Sequence, residues 1–459
     1  AGAAARPPRA RARLLAPHRA VGHRQLNAPG AQWRVGVDVG GTFTDRAALA
    51  ADGRIVAHKV LSTPGDQGEG VVQSLDGLDA RAAAIVHGTT VVTNLLLERR
   101  GAPVVLITTA GAEDVLFLRR QDRAALYDLS KHHPAPLVAR EDVIGVDERL
   151  VVARAPAASR EAPRNASKSA NAPNASSTSD APSFPSAPSG LSVAAERSLS
   201  ASEIARATAA ALARNPEIVL VALLHSYADD SHERAIAASL RSARPDLEVV
   251  TSADVLPEIR EYERFATASA EAYARPAVIR YLDGLAARLA AADQPAPAVM
   301  TSGGGMQPAA VAARHAAALA LSGPAGGVVG AAAVLAALAE LSASSTPASR
   351  SSRSVNAANA ALASSADARA AGLLDALTID IGGTSADAGL ILDGEPLVES
   401  GGEVAGVPIA LPRVLVDTVS AGGGSIAWID DGGALRVGPR SAGAKPGPVA
   451  FGRGGTEPT

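Results

Sequence analysis

Cysteine is absent from this chain of 459 residues. That excludes a disulfide framework, a thiolate zinc site and a cysteine nucleophile, and it fits a reducing, cytoplasmic setting. Aromatic residues make up only 3% of the chain against 47% hydrophobic residues in all, so a core has to be assembled mainly from Ala, Val, Leu and Ile. The formal charge of −3 gives no global attraction to nucleic acid or to an anionic membrane. No Gly-Lys dipeptide occurs, so there is no Walker A loop. The segment Gly323–Gly330 resembles a dinucleotide fingerprint but carries Ala325 where its first glycine belongs. Long hydrophobic runs are missing as well: the most apolar stretch, Val328–Ala339, is about half a membrane span. The first 34 residues hold seven Arg and no acid, the composition of a disordered basic extension or of an organelle transit peptide.

Order is predicted to begin at Trp33. The stretch from Val35 to Val39 reads as a short apolar strand ending in glycines, and Leu49 to Val60 as a hairpin around Asp52-Gly53. Ala84–His87 and Pro103–Thr109 read as buried strands with a helix over Val92–Arg100 between them. From about 155 to 200 the chain is Ala, Ser, Pro and Asn with almost no large apolar residue, and a second such stretch covers about 342 to 372. Neither buries enough surface to offset the entropy of ordering, so both are expected to be disordered inserts. Ser200 and Glu203 form a capping-box pattern ahead of a helix with Ile204, Ala207, Ala211 and Leu212 on one side, and Ile218–Leu224 is an apolar strand. Strands alternating with helices argue for an α/β fold.

The central feature is an internal repeat. Val35 to Asp45 reads VGVDVGGTFTD and Leu377 to Asp387 reads LTIDIGGTSAD. Asp38 matches Asp380, Gly40 matches Gly382, Gly41 matches Gly383, Thr42 matches Thr384 and Asp45 matches Asp387. Paired glycines let a tight turn bring backbone N–H groups close to phosphate oxygens. An aspartate at the strand end repels phosphate, so its use there is to hold Mg²⁺, which bridges to the phosphates. Two such loops facing each other would grip the triphosphate of ATP from both sides.

This duplication resembles the actin/sugar-kinase/Hsp70 ATPase superfamily, a two-lobed, ribonuclease H-like α/β fold. Further segments are similar to the ATP-dependent hydantoinase A/5-oxoprolinase family: HGTTVVTNLLLERRGA from His87, RRQDRAALYDL from Arg119, LLHSYADDSHE from Leu223, REYERFAT from Arg260, SGPAGGVVGA from Ser322, and the run from Ala421 to Pro448. The resemblance implies an N-terminal family domain over about 35–250 and a second domain over about 251–459. It implies ATP and Mg²⁺ as cofactors and a cyclic amide or imide (hydantoin, N-methylhydantoin or 5-oxoproline) as substrate. An amide carbonyl is a poor electrophile. Phosphorylating its oxygen makes that oxygen a leaving group, after which water opens the ring. A hydantoinase B-type subunit or domain is the implied partner, with neither nucleic acid nor membrane expected. The alternatives are an acetone carboxylase β-type subunit and a non-catalytic, ATP-gated actin/Hsp70-like switch.

Under that resemblance Gly40, Gly41, Thr42 and Thr44 hold phosphates from one lobe, and Gly382, Gly383, Thr384 and Ser385 from the other. Asp38 and Asp380 belong to the metal shell, and Asp45 and Asp387 are metal or base candidates. Gly422, Gly423, Gly424 and Ser425 form a turn read either as passing under adenine or phosphate or as a plain strand connection. His87 is read either as polarising a substrate carbonyl or donating to a phosphate, or as a structural histidine at a strand end. The cluster Arg260, Glu261, Glu263 and Arg264 reads as a solvated, self-paired helix face. The chain departs from the family pattern at Gly303, where an Asn is common, and before Phe451, where Ala450 replaces a Cys.

Overall fold

The computed structural model describes residues 33–154, 191–344 and 374–459, except 64, 65, 79, 129, 384, 420 and 444. The basic extension, most of both low-complexity stretches and Thr384 therefore lie outside the described residues.

Strand β1 (Trp33–Val39) alternates buried and exposed residues without a break, because every second position is Trp or Val. It turns at Gly40 into β2 (Phe43–Leu49), which pairs across the Asp52-Gly53 turn with β3 (Ile55–Leu61). Helix α1 (Gln67–Ser74) leads to β4 (Ala82–Thr89), which lies parallel to β1, and α2 (Val91–Glu98) follows. These strands, with two short ones added from later in the chain, make a six-stranded sheet.

A second sheet is wholly parallel. Strand β5 (Val104–Thr109) runs into α3 (Val115–Leu118), and β6 (Val143–Val146) pairs beside it. A hairpin of β7 (Arg149–Arg154) and β8 (Leu191–Arg197) brings Arg154 opposite Leu191. Order thus resumes within the span expected to be disordered up to 200, because Leu191–Arg197 gains a ladder partner that composition does not reveal. Ser200 caps α4 (Ala201–Leu212) by accepting from the Glu203 N–H at 3.2 Å. The Glu203 carboxylate does not return the bond; it accepts from the Asp147 N–H and from Arg206. Strand β9 (Ile218–Ala222), helix α5 (Ser231–Ala243), strand β10 (Glu248–Thr251) and the single turn α6 (Ser252–Val255) complete this unit, with strand order β10-β9-β5-β6. Ala207, Ala211, Ile236 and Leu240 from α4 and α5 pack on one face.

The other face is covered by α7 (Glu261–Ala291), a helix of 31 residues that is about 46 Å long at 1.5 Å per residue. Its N-terminal half is buried on nearly every side, which small residues such as Ala268, Ala270, Ala272 and Ala274 permit. Its C-terminal half reaches the first sheet, where Leu285 and Leu289 join the core of Trp33, Val35 and Val37. Strands β11 (Ala298–Met300) and β12 (Met306–Pro308) extend that sheet beyond β4, and α8 (Ala309–Ala312) follows. Helix α9 (Ser322–Ser344) continues three residues past the start expected for the second insert. By length and composition its segment Ser322–Ala339 is enough to cross a membrane, more than the half-span read from sequence. Ala325, Val328 and Ala332 nevertheless pack against Ile391, Val414 and Val416.

The second copy of the repeat forms β13 (Ala376–Ile381) and β14 (Ala386–Leu392), joined by β15 (Glu395–Pro396). The β16–β17 hairpin (Val398–Val404, Val407–Val414) packs on α7, where the Ala410 N–H donates to Thr267 Oγ1 at 2.9 Å. Strand β18 (Val416–Val419) pairs with β14, and β19 (Ser425–Ile429) and β20 (Leu435–Ser441) form a last hairpin.

Candidate functional site

The two copies of the repeat fold alike down to single hydrogen bonds. Asp38 pairs with Asp45 across the first hairpin, and Asp380 with Asp387 across the second. Each turn closes through the N–H of its first glycine: Gly40 donates to Phe43 O at 3.0 Å and Gly382 to Ser385 O at 2.9 Å. The turns also touch. A Cβ added to Gly383 would overlap Thr42 Oγ1 and stand 3.1 Å from Thr42 Cβ. Phe451, from a 3₁₀ turn near the last described residues, packs edge-on to Phe43 with ring centres 5.7 Å apart.

Four carboxylates gather at this contact. The Asp38 carboxyl is pushed up to about 6, first by burial and then by the negative charges of Asp45, Asp380 and Asp387, with Lys59 opposing. Among the described residues no side-chain hydrogen bond or ion pair reaches the carboxylate of Asp38 or Asp380. Asp45 and Asp387 are otherwise engaged. Lys59 lies 2.6 Å from Asp45, and Thr418 Oγ1 donates to Asp387 at 2.6 Å. Burial raises the Asp387 carboxyl, and the bonds from Thr418 and Ser385 oppose that. Gly88 and Gly323 make room for Asp38; a Cβ on either would come within 2.5 and 3.1 Å of its Oδ1. The first residues of α9 are therefore part of this site, a role that sequence reasoning did not assign.

No group of three or more ligating side chains is prearranged for a metal among the described residues. The donor set still fits a hard divalent cation. The side chains of Asp38 and Asp380 are unpaired and near enough for the charge of Asp380 to act on Asp38, and Mg²⁺ is typically held by one or two carboxylates with phosphate and water completing its shell.

Several expectations change. His87 is fully buried, with Nδ1 at 3.3 Å from Val37 O and Nε2 at 2.7 Å from Tyr281 Oη. A carbonyl only accepts, so Nδ1 carries the proton and Tyr281 donates to Nε2. Burial lowers the imidazole to about 4, and with both nitrogens occupied it cannot polarise a carbonyl or donate to a phosphate in this arrangement. Thr44 is also fully buried behind the first turn, 3.3 Å from Ser62 Oγ, which in turn donates to Gly40 O; it braces the loop rather than facing a ligand. The Gly422–Ser425 turn packs directly on the second aspartate–glycine turn. Gly423 N donates to Gly382 O, Gly424 N to Gly383 O, Gly422 N to Ser425 Oγ and Ser425 N to Gly422 O, so none of these N–H groups is left for adenine or phosphate. Arg264 is not on a solvated face. It is fully buried and donates to Leu223 O, Glu258 O and Ser252 Oγ.

Thr42 and Gly383 meet, which brings together the turns that also carry Gly40, Gly41, Gly382 and Ser385. Residues 34–243 match the family described as the hydantoinase/oxoprolinase N-terminal region, and residues 264–345 and 343–459 match that described as hydantoinase/oxoprolinase. The chain belongs to the hydantoinase/oxoprolinase family. Caprolactamase subunit alpha of Pseudomonas jessenii is 31% identical over 93% of this chain and 53% of its own length. The 5-oxoprolinase 1 of Arabidopsis thaliana is 30% identical over 80% of this chain and 24% of its own. Among solved structures, nucleotide-free acetone carboxylase, from a study of ATP-dependent acetone carboxylation, superposes with a TM-score of 0.67 at 25% identity, covering 94% of this chain and 53% of that one. This hydantoinase/oxoprolinase chain spans about half the length of the curated relatives it matches most fully.

Proposed function

We propose that this chain is the ATP-binding part of an ATP-dependent hydrolase that opens a cyclic amide or imide. The observation that carries the reading is the contact between the two aspartate–glycine turns, with Asp38 and Asp380 unpaired on either side of it. Two like hairpins whose turns touch support the two-lobed, actin-like reading of the sequence. In this reading the backbone N–H groups of Gly41 and Gly383 and the Thr42 hydroxyl approach phosphate oxygens, with the first residues of α9 alongside. Asp38 and Asp380 hold Mg²⁺, which supplies charge neutralisation on the transferring phosphoryl group. Lys59 holds Asp45 in place at 2.6 Å, and the Gly422–Ser425 turn holds the second loop in place. His87 and Tyr281 tie β1, β4 and α7 together behind the site and take no part in proton transfer.

The chemistry is phosphorylation of the carbonyl oxygen by ATP, releasing ADP, then attack of water at the carbonyl carbon with loss of phosphate. The test is ADP release from ATP with caprolactam, 5-oxoproline, hydantoin and acetone, with and without a hydantoinase B-type partner chain. Stimulation by a cyclic amide supports the reading. Stimulation by acetone alone supports the second reading, a carboxylase-type subunit, which the structural likeness to acetone carboxylase favours. Nucleotide binding with no stimulation by any of the four would leave an ATP-gated switch.

A further inference from the structure

The second copy of the repeat reproduces the first strand by strand, yet one of its faces is bare. Strand β13 answers to β1, β14 to β2 and β18 to β3, since Thr418 stands opposite Asp387 as Lys59 stands opposite Asp45. Leu377, Ile379 and Ile381 hold the places of Val35, Val37 and Val39. The three valines are 2%, 2% and 0% exposed, whereas Leu377, Ile379 and Ile381 are 67%, 65% and 68% exposed. The difference lies in what covers them. On β1 the cover is Val71 of α1 with Leu285 and Leu289 of α7, and β4 pairs along the outer edge. Among the described residues β13 has β14 as its one strand partner, and α9 lies on the opposite face, where Val328 and Ala332 meet Ile391.

The bare face is broad. Leu390, Ala388 and Ala386 are the cross-strand neighbours of the three β13 residues, and Val419 is that of Ala386, so pleating turns all of them to the same side. An exposed apolar face of this extent marks an interface, and the open edge of β13 offers unpaired backbone groups to a further strand. The repeat says what shape fits: a strand parallel to β13, as β4 is to β1, with a helix laid over the apolar side chains. Beside Asp38 that strand carries Gly88, where an added Cβ would come within 2.5 Å of Asp38 Oδ1, so the strand beside Asp380 needs a similarly small residue. Charge says what rim fits. Residues 374–419 hold eight Asp and Glu against one Arg, Arg413, which is paired with Glu399. Two copies of this face would repel, whereas a basic rim would be attracted.

We propose that this face and the open edge of β13 dock a strand–helix unit of a further polypeptide. Its strand runs parallel to β13 with a small residue opposite Asp380. Its helix lays apolar side chains over Leu377, Ile379 and Ile381 and carries lysine or arginine at its rim. The occupant thereby walls Asp380 as β4 walls Asp38. The inference stands on the repeat and not on the hydrolase reading.

The experiment co-produces the whole chain with the part of Pseudomonas jessenii caprolactamase subunit alpha that it does not match, about half of that protein, as a separate polypeptide. An equimolar complex is expected, with the β13 amides slower in hydrogen exchange than in the chain alone, and with affinity falling as salt is raised. Ile379→Lys should weaken the complex about tenfold or more. Ile55→Lys, at a side chain just as exposed on β3, should leave it unchanged. Both substitutions fall on exposed side chains, and unfolding curves establish that each variant is folded. No complex, a complex indifferent to Ile379→Lys, or β13 amides that exchange as before overturns the proposal. Sedimentation of the chain alone as a dimer that Ile379→Lys dissociates would place a second copy on the face and overturn it too.

Discussion

Substituting Gly383 by Ala tests whether the two aspartate–glycine turns meet in solution. The added methyl would overlap Thr42 Oγ1, stand 3.1 Å from Thr42 Cβ and 3.6 Å from Cγ2. Thr42 is only 5% exposed and β-branched, so it has little freedom to swing aside. Overpacking of this kind costs about 1–3 kcal/mol. If the fold absorbs the cost, urea unfolding shifts by that amount. If the turns part instead, ATP affinity falls by roughly 5- to 150-fold, at 1.4 kcal/mol per tenfold. The neighbouring Gly382→Ala is the control, because its Cβ would meet only Ser385 O at an ordinary 3.6 Å. Both changes gain about 0.4–1 kcal/mol from a stiffer unfolded chain, so the difference between the two variants isolates the clash. Adding Thr42→Ala to Gly383→Ala removes Oγ1 and Cγ2 and should restore at least half of the lost stability, a coupling read from a double-mutant cycle. A Gly383→Ala protein that matches Gly382→Ala in both unfolding midpoint and ATP affinity would refute the contact.

Asp38 and His87 give opposite pH dependences. The folded Asp38 value of about 6 exceeds the usual 3.8, so its ionisation removes stability as pH rises through that window. The folded His87 value of about 4 lies below the usual 6.5, so stability is lost as pH falls through that window. Asp38→Asn should therefore gain stability over wild type at about pH 8 and lose that advantage towards pH 4, by well under the full shift because the Asp38 side chain is partly open to screening solvent, while Mg-ATP turnover drops by orders of magnitude; a variant less stable than wild type at pH 8 would contradict the argument. Arg264→Met should cost about 3–5 kcal/mol in chemical denaturation, because it leaves buried Glu233 without its neighbouring cation, and a loss under 1 kcal/mol would show that the site relaxes. Replacing residues 155–190 with a two-residue Asn-Gly turn should hold or raise the melting temperature, since Arg154 and Leu191 are already ladder partners and a shorter closure saves about 0.6 kcal/mol per halving. A fall of several degrees would mean that the excised stretch packs on the fold.

The paired aspartate–glycine turns could be read from the chain because they are built from local patterns. Strand, acid and paired glycines recur at matched spacing, and both copies fold into the same hairpin with the same turn bond. Lys59 was within reach as well: counting back across the Asp52-Gly53 turn puts it opposite Asp45. The inward face of Thr44 follows from alternation with Arg46 and Ala48 on β2. What stayed hidden depends on partners far away in sequence. Strand β8 looks like low-complexity chain until β7 is beside it. Arg264 reads as surface charge until the carbonyls of Leu223 and Glu258 surround it. Tyr281 lies nearly two hundred residues from the histidine it holds, and no local pattern links them.

Helix α7 is shared by two cores. Its N-terminal half packs on the parallel sheet, and its Tyr281 bonds to His87 on β4, whose other nitrogen donates to Val37 O on β1, the strand that carries Asp38. Pro276 lies between and supplies no N–H to the carbonyl one turn earlier. One continuous rod therefore sets the spacing of both sheets, and neither can be repacked against it without disturbing the surface on which the other rests.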